Sequence, residues 1–220
     1  MAQRKPPRRT RERILETALT LMNQLGEPHV TTANIADELN ISPGNLYYHF
    51  RNKDDIIGEL YAALESKIAP LLSWPDDRAA TVEDLWLLLH LLFERMWEYR
   101  FFYRDVDEIT SRNRRIARRF SDLTQRAEST VIQLCARLAE AGTLRASERE
   151  ITALATNVVI VATYWMSFHR IARGAAAGPS DGGEGNQTSR AVYQVLALVS
   201  PFLAGDDRAL IERLGAEYLR

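Results

Sequence analysis

The sequence predicts an all-α protein, with a small N-terminal head of short helices built on a helix-turn-helix and a larger C-terminal bundle of long helices. Three observations carry this prediction. Apolar residues recur at spacings of three and four along nearly every segment, and nowhere alternate with the period of two that a half-buried strand requires. Hydrophobic residues make up 46% of the 220 positions, enough to bury a substantial core. Gly, Pro, Asn, Ser and Thr fall where helices start and stop.

In chain order, the first helix is expected from Thr10 as N-cap to Leu25, with Ile14, Ala18, Leu21 and Leu25 as its apolar stripe and Gly26 after it. The second spans Thr32 to Leu39 and the third Ser42 to Phe50. The fourth begins near Asn52, with Asp55 as its capping partner, and ends before Pro70. After the loop SWPDD, Thr81 and Asp84 form a second capping box. One continuous helix is then expected over LWLLLHLLFERMWEYRFF. YRDVDEITSRN reads as a break or a short helix. Long helices follow over about Asn113 to Ala141 and Ser147 to Arg173. The stretch Gly174 to Thr188 is a flexible loop by composition. Helices over about Ser189 to Leu203 and Asp206 to Leu219 complete the chain, and no internal repeat is visible.

Composition excludes several classes of function. The single cysteine, Cys135, cannot form an internal disulfide. The first fifteen residues carry charges but no apolar stretch of a secretory signal. The longest apolar run, Leu85 to Phe93, is interrupted by His90 and is too short to span a bilayer, so a cytoplasmic protein without a membrane partner is expected. His29, His49, His90 and His169 are scattered without metal-ligand spacing, and no Ser or Cys stands in a nucleophile motif. Neither a metal, a cofactor nor an enzyme activity is expected. Charge is uneven: residues 1–15 hold a net +5, while the whole chain stands at −1, which leaves −6 for the rest. A basic arm on an acidic body points to a polyanion contacting one end.

The head explains that arm. In TTANIADELNISPGNLYYHF, Ile35, Ala36 and Leu39 share one face, and the small Ala36 permits a close helix crossing. Asn40 suits the left-handed conformation that must end the helix. Ser42 caps the next helix and Pro43 takes its first position, where no N–H is needed. Leu46 and Phe50 face inward, which leaves Asn45, Tyr47, Tyr48 and His49 on the outer and lateral faces. Such side chains suit a DNA groove: Asn can bond adenine, a Tyr ring can pack on a thymine methyl, and phenol and imidazole can bond phosphate. Gly44 admits a close backbone approach. Lys53 stands in the first turn of the fourth helix, where a cation opposes the helix dipole, and a phosphate there resolves the conflict. Thr31 and Thr32 are placed likewise at the start of the second helix.

The pattern TTANIADELNISPGNLYYHFRNKDDII resembles the DNA-binding head of TetR-family transcriptional regulators, over about residues 8–68 with the helix-turn-helix at 31–50. The resemblance implies a C-terminal ligand-binding and dimerisation domain over residues 69–220. It also implies a homodimer, most often a repressor, that binds a palindromic double-stranded DNA operator and releases it when a small hydrophobic effector enters the C-terminal domain. It further implies that Thr32, Tyr47, His49 and Lys53 contact phosphates, while Gly44, Asn45 and Tyr48 lie at base-reading positions. Arg8, Arg9 and Arg11 supply the basic arm. Pro43 and Ala33 depart from residues that in many members reach the DNA, which shifts specificity towards Asn45, the tyrosines and the arm. Within the family, GEPHVTT, NISPGNLYYHF, LHLLFERMWEYRFFYRD and VYQVLALVSPFL are similar to the regulators of polyhydroxyalkanoate synthesis genes.

For the body, an apolar effector pocket is expected around Trp86, His90, Phe93, Trp97, Phe102, Trp165 and His169, against the alternative that these are ordinary core aromatics. A dimer surface is expected at Val158 and Val161 of one helix and Val192, Val195 and Val199 of another, against the alternative that the first of these is the central helix of the monomer bundle. The run Arg112, Arg114, Arg115, Arg118, Arg119 reads as a solvated face paired with Asp105, Asp107 and Glu108, or as a site for the phosphates of an acyl-CoA. The rival to a DNA-binding regulator is a helical small-molecule-binding or protein-interaction module without operator binding.

Overall fold

The structure is a computed structural model that describes residues 7–73, 79–173 and 184–219. The head comprises α1 (Pro7–Leu25), a 3-10 turn (Glu27–His29), α2 (Thr32–Glu38), α3 (Pro43–His49) and α4 (Lys53–Ile68). The body comprises α5 (Val82–Glu98), α6 (Arg100–Arg104), α7 (Val106–Arg112), α8 (Arg114–Glu140), α9 (Glu148–Arg173), α10 (Glu184–Val199) and α11 (Gly205–Glu217). No strand occurs among the described residues; one isolated bridge, Leu144 to Leu203, ties the α8–α9 connection to the one between α10 and α11.

Local signals placed most boundaries. The Thr31 side chain accepts from Asn34 N while Asn34 answers the Thr31 backbone, and Thr81 with Asp84 does the same for α5. Ser42 and Asn52 cap α3 and α4. Asn40 sits at φ 52, and Gly26 and Gly142 have positive φ at helix ends.

Three boundaries differ from the sequence expectation. α1 already includes Pro7, the first described residue, and so begins before Thr10. The expected single helix through Phe102 breaks at Tyr99 (φ −114, ψ 36). There Asn23 Oδ1 accepts the Phe101 N–H at 3.0 Å, a bond that a continuous helix would have made internally. α10 already includes Glu184, so the last residues of the expected Gly174–Thr188 loop are helical. The rest of that loop, most of SWPDD, and Arg4 and Lys5 of the basic arm lie outside the described residues.

α8 and α9 pack along each other, α9 packs on α10 and α6, and α10 on α5 and α11. This packing overturns most of the expected dimer surface. Val192, Val195 and Val199 are fully buried and Val158 nearly so, all inside this chain's own core, and Val161 is half-buried. The apolar side chains left uncovered on α9 are Ile160, Tyr164, Phe168 and Ile171, with Phe168 60% and Ile171 74% exposed. A helix apolar all round offers every face to a sequence pattern, and only packing decides which stays outside.

Candidate nucleic-acid interface

α3 is seven residues long and could not persist alone. Leu46 and Phe50, one turn apart, are buried in the core that also holds Ile35, Ala36, Ile56 and Ile57, and anchor it to the head. Its outer surface is then fixed by the helical period. Tyr48 is 81% exposed and Tyr47 53%; Pro43, Gly44 and Asn45 are exposed and His49 is half-buried. The Tyr48 and His49 rings meet edge to face at 5.1 Å. A Cβ built on Gly44 would meet only Ser42 Oγ, at 4.0 Å, so none of the described residues requires glycine there.

α2 joins the same surface. The Thr32 hydroxyl lies 3.2 Å from the Tyr47 phenol oxygen. Thr31 is exposed, but its hydroxyl is committed to Asn34 as the helix cap. Arg9 is exposed, whereas Arg11 pairs with Glu59 at 2.8 Å and stacks over the Phe50 ring; Arg8 lies in α1 by its backbone. Beside α3, towards α4 and the start of α8, opens a cleft of about 450 Å³ whose walls carry charges of both signs, including Arg51, Asp55 and Arg115. Tyr47, Tyr48 and His49 line the same cleft, so the exposed aromatic face of α3 and charges of both signs lie side by side there.

Lys53 is placed otherwise than expected. Its ammonium lies 2.7 Å from Glu27 Oε1 and donates to the Glu27 carbonyl at 3.1 Å, and its side chain is 25% exposed. Glu27, in the 3-10 turn, therefore already meets the cation at the N-terminus of α4, and a phosphate must compete with it. Arg112 at the end of α7 reaches the same Glu27 oxygen at 2.6 Å and Asp54 of α4 at 3.1 Å. Burial tends to lower the Arg112 pKa, but the bonds and charges of Glu27 and Asp54 outweigh it and hold it above its ordinary value. The Glu27 N–H donates to Asp105 Oδ2 at 3.2 Å. Burial pushes the Asp105 carboxyl above the usual aspartate range, against the opposing effect of that bond. Asn23 adds bonds to Phe101 N, Glu98 O and Arg104. The turn after α1 is thus pinned to α6 and α7. Sequence reading missed Glu27 and Arg112 as a pair, because an acid in a turn and an arginine in a basic run carry no local sign of each other.

None of the residues expected to line the effector pocket lines the apolar cavity found among the described residues of the body. Trp86 stacks on His90 with centroids 5.6 Å apart, and His90 meets the Tyr218 hydroxyl at 2.9 Å and Glu94 at 3.4 Å. Phe93 and Phe102 are core residues without exposure, Phe102 packing on Tyr61 and Phe120. Trp97 lies under the Arg100 guanidinium, and Trp165 touches Phe168 and His169. An apolar cavity of the body, about 60 Å³, lies between α4, α5, α8 and α9 and is lined by Leu85, Leu88, Leu89, Leu92 and Met96 of α5. Phe120, Leu123, Ala127 and Val131 of α8 and Val158 and Ala162 of α9 also line it, with Ile68 of α4, Tyr103 and the threonines Thr124, Thr130 and Thr163. α5 is apolar on two adjacent stripes, and the sequence pattern singled out the aromatic one. In the arginine run, Arg112 and Arg119 are spent on Glu27 and Glu65, and none of its five members lines this cavity.

Comparison with known proteins agrees with this architecture. Residues 14–60 match the model of the bacterial regulatory proteins of the tetR family, and residues 63–211 that of a bacterial transcriptional repressor domain of TetR. The chain is similar to the HTH-type transcriptional regulator AcrR of Shigella flexneri, at 30% identity over 96 residues, 41% of this chain and 44% of that protein. It is also similar to the class C tetracycline repressor protein of Escherichia coli, at 37% over 54 residues, 24% of this chain and 25% of that protein. These matches span less than half the length of either relative. The crystal structure of a TetR-family transcriptional regulator from Marinobacter aquaeolei VT8 superposes with a TM-score of 0.84 at 35% identity, over 96% of this chain and 99% of that one. A transcriptional regulator from Saccharomonospora viridis, solved with choline, shares the fold at a TM-score of 0.67 and 20% identity, over 90% of this chain and 99% of that one. The chain therefore belongs to the TetR family of bacterial transcriptional regulators.

Proposed function

We propose that this protein is a homodimeric, effector-responsive DNA-binding regulator of the cytoplasm, most simply a repressor, with a head over residues 8–68 and a body over 69–220. The observation that carries the reading is α3: two buried anchors, Leu46 and Phe50, present a short helix whose tyrosines stay in solvent. In a dimer each α3 enters a major groove, with half-sites separated by about 34–36 Å or a multiple of it. Tyr47, Thr32 and His49 contact phosphates, and Asn45 and Tyr48 read bases. The uncovered α9 stripe Ile160, Tyr164, Phe168 and Ile171 supports the dimer, because large exposed apolar patches favour a partner surface.

The effector enters the cavity between α5, α8 and α9. Its lining is apolar with the hydroxyls of Thr124, Thr130 and Thr163, which favours an apolar chain such as the acyl group suggested by the likeness to polyhydroxyalkanoate regulators. A drug-sized ligand needs several hundred Å³, on the order of 300 or more, against the 60 Å³ present. Entry therefore parts the helices. Ile68 of α4 belongs to the lining, so this parting bears on the helix that carries the head. Linkage requires operator DNA to weaken effector binding by the same factor.

A mobility-shift assay tests the reading, using duplexes selected by the purified chain from a random pool. Binding to a two-fold symmetric site, lost in Tyr48→Ala and relieved by fatty acyl compounds, is the expected result. Failure of the chain to enrich any duplex overturns it and favours a small-molecule-binding or interaction module.

A further inference from the structure

Two cations meet on one buried oxygen. Lys53 Nζ and Arg112 Nη2 lie 2.7 and 2.6 Å from Oε1 of Glu27, whose side chain has no solvent exposure. Its other oxygen, Oε2, is buried with no hydrogen-bond partner among the described residues. A buried carboxylate in that state depends on its counter-ions, and removing one leaves it reliant on the other.

The two cations come from different parts of the molecule. Lys53 opens α4, four residues after the end of the exposed α3, and is partly open to solvent. Arg112 ends α7 in the body and also holds Asp54, the neighbour of Lys53, at 3.1 Å. While Arg112 is in place, Glu27 keeps one counter-ion even when the Lys53 ammonium turns outward. If α7 withdraws Arg112, Lys53 becomes the remaining counter-ion of a buried charge and cannot leave without exposing it unpaired.

We propose that Glu27 and Arg112 are positioning residues for operator binding: together they set whether the Lys53 ammonium stays at the joint or reaches a DNA phosphate. The position of α7 is thereby read out as one phosphate contact more or fewer. This inference rests on the DNA-binding reading above.

Salt dependence tests it, because each phosphate contact adds about 0.9 to the slope of log affinity against log salt. Affinity for the selected duplex is measured between low and moderate salt for the full chain and its variants, each checked for cooperative thermal unfolding. Arg112→Met should bind several-fold more weakly, with a slope shallower by about 0.9, and Lys53→Met added to it should cost nothing further. Arg112→Lys should keep most of the wild-type slope. Glu27→Gln keeps the side-chain shape and releases Lys53, so it should bind at least as tightly as wild type. Combined with Arg112→Met, it should restore the slope. A purely structural role predicts the reverse, a double variant worse than either single one.

An unrestored slope in the double variant, or an Arg112→Met loss with the slope unchanged, overturns the inference while leaving DNA binding intact. Should Arg112→Met fail to unfold cooperatively, Glu27→Gln decides with Lys53→Met: a Lys53→Met loss no larger in the Glu27→Gln background than in wild type overturns the inference. Wild-type protein that binds no selected duplex overturns the DNA-binding reading and this inference together.

Discussion

The hydroxyl oxygens of Thr32 and Tyr47 lie 3.2 Å apart, which ties the first turn of α2 to the outer face of α3. Both groups face solvent in part and stand where one phosphate can bridge them. Tyr47→Phe and Thr32→Val should each weaken binding to all duplexes alike, without altering base preference. Thermal stability should change by no more than about 0.5 kcal/mol, since the bond is exposed. Their combination should be less than additive, as expected of groups sharing one partner. A changed base preference in a selection experiment would assign Tyr47 to the groove instead.

Tyr48 and Leu46, two residues apart, separate binding from folding within one turn of α3. Tyr48→Ala should leave the denaturation midpoint almost unmoved while abolishing sequence-specific binding. Leu46→Ala removes a fully buried anchor and should cost about 2–5 kcal/mol. Urea unfolding of the two variants, set beside duplex affinity, checks both.

Asp105 offers a pH prediction. Its carboxyl is raised by burial, so the folded state holds its proton to higher pH than the unfolded state does. Its contribution to stability is therefore fully present below the ordinary aspartate value, about 3.9, and is lost as pH rises through the raised folded value. Asp105→Asn, which keeps an acceptor for the Glu27 N–H, should gain on the wild type over that window as pH increases. Urea midpoints measured from acid to neutral pH check the sign, and a variant that loses ground to the wild type as pH rises would reverse it.

Cys135 is fully buried on α8, and burial pushes its thiol up to about 11. The folded protein should resist thiol reagents at pH 8 and react at one site once denatured. Rapid labelling of the native chain would mean that α8 opens locally.

The body yields two separable variants. Ala127→Phe places a ring in the α5–α8–α9 cavity and should abolish release by effector while operator affinity is retained. Phe168→Glu adds charge to the exposed α9 stripe and should shift sedimentation from dimer towards monomer without loss of helix content. Retained effector response in the first, or an unchanged oligomer in the second, would move the site or the interface elsewhere.

What the sequence determined by itself was whatever local chemistry decides. Thr31, Ser42, Asn52 and Thr81 cap helices because their oxygens meet backbone N–H groups three residues on. Asn40 turns the chain because it tolerates positive φ. Leu46 and Phe50 face inward because they stand four apart, and that same period leaves Tyr47 and Tyr48 outside. Tertiary structure alone decided which apolar face of α5 meets the cavity, and that Val192, Val195 and Val199 lie inside the chain. It also decided that Asn23 breaks the long helix before α6. Above all it chose the partner of Lys53. Glu27 and Arg112 stand 85 positions apart, and only the fold brings the Arg112 and Lys53 cations onto one buried oxygen of Glu27.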